Sequence, residues 1–109
     1  MLEKLNSKLF SECLHSSFHV QDRGQTVFTA ELIEVADKNA SPRMEQFSLV
    51  FRGPMTPALP QGIHELEHAT LGKLQLFLVP LGPDDSGMRY EAVFNRFRKP
   101  EQSPEQSGA

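Results

Sequence analysis

The sequence predicts a mainly β domain, an antiparallel barrel or sandwich of about six or seven strands with one short N-terminal α-helix. Three observations carry that expectation. Apolar residues alternate at period two in short runs from Phe18 to Phe97, the spacing that sends side chains to one face of a strand. Turn-forming clusters, among them Asp22-Arg23-Gly24, Gly53-Pro54 and Gly82-Pro83-Asp84-Asp85-Ser86-Gly87, separate the runs. Helical spacing is confined to the N-terminal segment.

In that segment Leu2, Leu5, Leu9, Phe10, Cys13 and Leu14 share a helical stripe, with Lys4, Lys8 and Glu12 elsewhere on the wheel. It reads as an amphipathic helix laid on the sheet, and Asn6 or Ser7 could cap a shorter version beginning near Lys8. Phe18 to Gln21 forms a short strand. Thr26 to Val35 follows, and its alternation slips at Ile33-Glu34-Val35, where a bulge would turn both Leu32 and Val35 inward. Residues 37 to 43 read as a loop, and Phe47, Leu49 and Phe51 as a clean strand. Met55 to Gln61, with Pro57 and Pro60, is a surface connection.

Leu71 to Pro83 is the most apolar stretch. Leu74, Leu76 and Leu78 occupy one face, and Phe77 and Val79 the other. A strand apolar on both faces is expected to be central and covered on both sides, ending at Pro80, Gly82 and Pro83. Met88, Tyr90, Ala92 and Phe94 alternate in the last strand, with Val93 and Phe97 opposite, so it pairs antiparallel with the stretch before it. Residues 1–97 thus form a single globular domain. Residues 98–109 repeat Pro-Glu-Gln-Ser and hold no apolar residue before the last, so a disordered polar tail is expected.

Composition narrows the function classes. The chain has 109 residues, 39% hydrophobic and 23% charged, an ordinary balance for a soluble domain. A net charge of -3 argues against nucleic acid, because neutralising phosphates takes a basic surface. Arg89, Arg96 and Arg98 lie near Phe94 and Phe97, but Glu91 and the Asp84-Asp85 pair dilute that patch. The single cysteine, Cys13, excludes an internal disulfide and fits a reducing compartment. Glu3 and Lys4 interrupt any secretory signal, and no apolar run approaches the ~20 residues of a membrane span. A cytoplasmic protein without a membrane partner is expected.

The one chemical motif is His64-Glu65-Leu66-Glu67-His68, which matches the H-E-x-x-H zinc pattern. On a helix the two imidazoles would share a face and bind one ion, with Glu65 as general base. No histidine follows His68 as a third ligand. On a strand His64 and His68 would lie about 13 Å apart and could not share an ion. Glu65 and Glu67 would then sit nearly ~7 Å apart on one face, a spacing seen in glycosidases but far commoner on solvated strands. Cys13 and His15 point to different sides of a helix, so Cys13 reads as a buried structural thiol. No catalytic residue, cofactor or metal is assigned, and His64 and His68 stand as weak metal candidates.

The strings F-S-L-V-F-R-G-P at 47–54, L-P-Q-G at 59–62, L-E-H at 66–68, L-G-K-L-Q-L-F-L-V-P-L-G-P at 71–83 and Y-E-A-V-F-N at 90–95 resemble an uncharacterised family of small bacterial domains of unknown function. The resemblance runs from the N-terminal helix to Asn95 and implies no catalytic residue. Relatives are sometimes encoded beside phage-tail-collar-like proteins, which implies a structural setting. The expected function is a non-enzymatic structural or adaptor module acting by protein–protein contact or self-association. Phe77, Val79, Val93 and Phe97 are the candidate contact residues, because one helix is too small to cover that whole face. The alternative is a small-ligand barrel with a cavity lined by Phe47, Leu49, Leu76 and Tyr90, or a metal-dependent hydrolase built on residues 64–68.

Overall fold

The alternating runs become six antiparallel strands closed into a barrel in the order β1-β2-β3-β6-β5-β4. They are β1 Ser17–Asp22, β2 Gln25–Asp37, β3 Met44–Gly53, β4 Gly62–His68, β5 Gly72–Asp84 and β6 Gly87–Phe97, preceded by the helix α1 Ser7–Glu12. This computed structural model describes residues 6–38 and 44–97, without the side chains of Met44, Arg96 and Phe97. The expected tail at 98–109, the helical positions Leu2 and Leu5, and the loop at 39–43 lie outside the described residues.

Two long strands turn the corners that close the ring. The first half of β2 pairs with β1 and its second half, from Glu31, with β3. Likewise β5 pairs with β4 over Gly72–Leu78 and with β6 over Val79–Asp84. Each bend has a bulge, at Leu32/Glu34 and at Pro80/Gly82. A bulge adds one residue and sharpens the local twist, so the strand can change partners without losing its core face. Leu32 is fully buried and Val35 packs on the core, as the slipped alternation required.

The Pro80/Gly82 bulge also corrects an expectation. Pro80 and Gly82 do not end β5, which continues to Asp84. Proline lacks an N–H and is tolerated at a bulge, where one residue drops out of the ladder. The hairpin loop shrinks to Asp85-Ser86, and Asp84 Oδ1 accepts the Ser86 and Gly87 N–H groups at 2.8 and 3.0 Å. That is a side-chain-stabilised tight turn.

Inward residues from every strand fill the barrel: Phe18 and Val20, Leu32, Phe47, Leu49 and Phe51, Leu66, Leu74, Leu76 and Leu78, Tyr90 and Ala92. The helix is the short version. Asn6 Oδ1 accepts the Leu9 N–H at 2.8 Å, capping α1 at its first turn. Phe10 is fully buried, with its ring centroid 6.1 Å from Phe47 and 5.7 Å from Phe94. Phe47 and Phe94 are opposite one another on β3 and β6 and stack at 4.5 Å. The helix therefore plugs one end of the barrel. It leaves the outer face of β5 bare, and Phe77 is 51% exposed there, so the expectation that this strand is covered on both sides fails. The reason is length: a six-residue helix spans about 9 Å, enough to fill a barrel mouth and no more. Among the described residues no helix is long and apolar enough to cross a membrane.

Candidate functional site

On the bare outer face of β4, β5 and β6 several apolar side chains meet solvent, as Leu14, Val27 and Met55 do elsewhere. Ile63 on β4 stands directly opposite Phe77 on β5. Val79 is two residues along on the same face, opposite Glu91 of β6, and Val93 is the next outward residue beyond Glu91. Opposed and diagonal neighbours in antiparallel pairs lie about 5 to 8 Å apart, so the four side chains form one oblique ridge. Ile63 is 70% exposed, Phe77 51% and Val93 65%, whereas Val79 is half-buried. Of the four expected contact residues the structure thus gathers Phe77, Val79 and Val93. Phe97 pairs through its backbone with Met44, and its side chain is outside the described set. Ile63 is the member that sequence reading missed. The signal was its place at the only outward apolar position of a strand otherwise carrying Glu65 and Glu67 there.

The H-E-x-x-H segment is β4, a strand. His64, Leu66 and His68 take the inward positions, and Glu65 and Glu67 point outward, where Glu65 faces Gln75 and Glu67 faces Lys73. The two imidazoles serve separate jobs. His64 Nε2 donates to the Pro60 carbonyl at 2.7 Å, tethering the proline-containing connection that precedes the strand. Leu59 N–H, in the same connection, donates to the Tyr90 hydroxyl at 2.9 Å.

His68 is buried and has both nitrogens engaged. Its Nδ1 accepts the Thr70 and Leu71 N–H groups at 3.0 and 3.1 Å, so that nitrogen carries no proton. The neutral ring then has its proton on Nε2 and donates it to Ser16 Oγ at 2.8 Å, and the hydroxyl in turn donates to the Cys13 carbonyl. The ring also lies 4.5 Å from that of Phe18. Burial first, and the charge of nearby His19 second, hold this imidazole below the ordinary histidine range. The result is a pin between the end of α1 and the turn joining β4 to β5.

A serine hydroxyl on a histidine nitrogen is also the arrangement of a nucleophile and its base. Here the tautomer is reversed: the nitrogen facing Ser16 carries the proton, and two backbone donors fix it there. A base must present a lone pair to the hydroxyl. The contact between Ser16 and His68 is structural. Their separation of 52 positions gave the sequence no means of showing it.

Cys13 is buried, and burial, with Glu12 second, raises its thiol above the usual range, which makes it a poor nucleophile. Among the described residues no three His, Cys, Asp or Glu side chains gather to hold a metal ion. Phe47, Leu49, Leu76 and Tyr90, read from sequence as a possible cavity lining, are themselves core residues at most 3% exposed. A cleft of about 500 Å³ lies outside the barrel, between the turn after β1 and the connection before β4, lined in part by Arg23, Pro57, Pro60 and Glu65.

Residues 5–94 match the family described as Domain of unknown function (DUF6916). The chain belongs to this family. The match takes in α1 and all six strands up to Phe94, so the DUF6916 region and the barrel coincide. No curated protein and no solved structure matches the chain.

Proposed function

We propose that this DUF6916 domain is a structural or adaptor module that works by protein–protein contact through the outer face of β4, β5 and β6. The observation that carries the reading is the ridge of Ile63, Phe77, Val79 and Val93. Burying a side chain of that size yields about 2 to 3 kcal/mol, and a small domain does not ordinarily leave several side by side in water. Around the ridge, Glu65, Gln75 and Glu91 supply the polar rim usual at a contact surface. The two histidines of the zinc-like motif support the same reading, since both act in holding the barrel together. The class of partner implied by the resemblance noted in the sequence is a tail-like structural protein, and the buried thiol fits work in the cytoplasm.

The test is capture from the native organism with the wild-type chain and with Phe77→Glu and Val93→Glu in parallel. The expected result is a partner retained by the wild-type chain and lost by both variants, whose melting temperatures stay within a few degrees of wild type. A partner retained equally by all three places the contact elsewhere and defeats the reading.

A further inference from the structure

Arg89 holds a buried donor that the barrel leaves unmatched. Tyr90 and Ala92 point into the core, so Arg89, Glu91 and Val93 of β6 point outward. Arg89 faces Arg52 of β3, and like charges directly opposite one another repel. Arg52 is compensated: Asp84 accepts two of its N–H groups at 2.7 and 3.1 Å, and Glu31 of β2 lies opposite it on the other side. Arg89 has no such neighbour. Its Nε is buried without a hydrogen-bond partner, and among the described residues no carboxylate forms an ion pair with it. Its neighbour on β5 is Gly82, which has no side chain and where a Cβ would meet nothing within 4 Å. The row Glu31, Arg52, Arg89, Gly82 thus ends in an uncompensated cation beside open space.

We infer that Arg89 is a carboxylate site whose ligand is an aspartate or glutamate side chain of the protein docked on the neighbouring ridge. The choice of a protein ligand rests on the contact reading above. A guanidinium presents paired N–H donors that match the two oxygens of a carboxylate in one charge-assisted, bidentate contact. A buried donor without a bond is costly. A carboxylate seated over Gly82 draws the guanidinium outward, engages Nε and relieves a cost present only in the free domain. Charge selects the anion. Asp84 and Glu91 flank the site, opposite Gly87 and Val79 respectively, and they repel a doubly charged phosphate more than a singly charged carboxylate. Position selects the source. Arg89 is two residues along β6 from Glu91, so it is the diagonal neighbour of the ridge residue Val79, about 7 to 8 Å away. An extended segment of a partner covers that step in two residues, at about 3.3 Å each. The segment expected on this face therefore has an acidic residue two positions from an apolar one.

The test is NMR of the isotopically labelled full chain, titrated with sodium acetate against sodium chloride at matched ionic strength. The Arg89 Nε–H signal and the Gly82 amide are expected to shift and saturate with acetate, about tenfold or more tightly than the signal of exposed Arg23. In Arg89→Gln the Gly82 shift is lost, while circular dichroism and melting temperature stay those of the wild-type chain. Capture from the native organism is then repeated with Arg89→Gln, which is expected to retain about a tenth or less of the partner held by the wild-type chain. Acetate that leaves both signals unmoved, or binds no more tightly than at Arg23, overturns the carboxylate site without touching the ridge. A saturable site whose loss in Arg89→Gln leaves capture unchanged overturns the docking role. Acetate binding by a chain that captures no partner defeats the contact reading instead, and makes a free carboxylate the ligand.

Discussion

His68 shows how much one side chain decides. Two backbone N–H groups fix its tautomer, and a third bond reaches the serine that follows α1. Replacing it with phenylalanine keeps a planar aromatic ring but leaves those donors unpaired, which costs roughly 2–3 kcal/mol in urea unfolding. Its titration gives a pH signature. The folded state holds the imidazole below the unfolded value of about 6.5, so the native chain binds fewer protons than the unfolded one in that window. The contribution is complete above about pH 6.5 and is lost as pH falls toward the folded value. Unfolding midpoints measured from pH 8 to pH 5 should therefore decline for the wild-type chain and be flatter for His68→Phe. Equal slopes would mean that another group is responsible. Asp84 titrates lower. The Arg52 guanidinium, bonded at 2.7 and 3.1 Å, and then the Ser86 N–H hold its carboxyl below the usual range, so its contribution is lost only as pH drops below about 4.

Among the elements, α1 and the hairpin from β5 to β6 have the clearest dependencies. The helix is far too short to persist alone and exists because Phe10 fits between Phe47 and Phe94. Phe10→Ala should cost about 3–5 kcal/mol, against about 1 kcal/mol for Asn6→Ala, which removes only the cap. Chemical denaturation of the two variants checks that order, and a larger loss from Asn6→Ala would show that the plug matters less than the cap. At the hairpin, Gly87 starts β6 with a positive φ of 154°, and a Cβ there would strike the Gly53 carbonyl oxygen across the sheet. Gly87→Ala is expected to lower the melting temperature by at least ten degrees or so, since backbone and not a flexible side chain must move. A thermal melt within a few degrees of wild type would contradict the close approach of β3 to that turn.

Over the whole molecule, the barrel separates what packs from what contacts. The interior is assembled from inward residues of every strand, and the ridge of exposed apolar side chains lies outside on β4, β5 and β6. Truncating the two regions should separate them experimentally. Leu76→Ala is expected to cost about 2–5 kcal/mol of stability, whereas Phe77→Ala, one residue on and pointing outward, should cost under ~1 kcal/mol and act on association instead. If Phe77→Ala destabilised the monomer as much as Leu76→Ala, the ridge would be part of the core.

The period-two runs, the turn clusters and the slip at Ile33 determined the strands, the β2 bulge and the inward set from Phe47 to Phe94, because alternation depends only on neighbours in the chain. Asn6 as a cap and the outward exposure of Phe77 and Val93 were legible for the same local reason, even though the sequence alone implied a second covering layer. Tertiary structure decided everything that links distant residues. It made the zinc-like segment a strand, gave His68 a serine 52 positions away, sent α1 into the barrel mouth, and set Ile63 beside Phe77. It also split the pairing of β5 between β4 and β6. Pairing register and barrel closure balance the whole chain at once, and no local pattern encodes them.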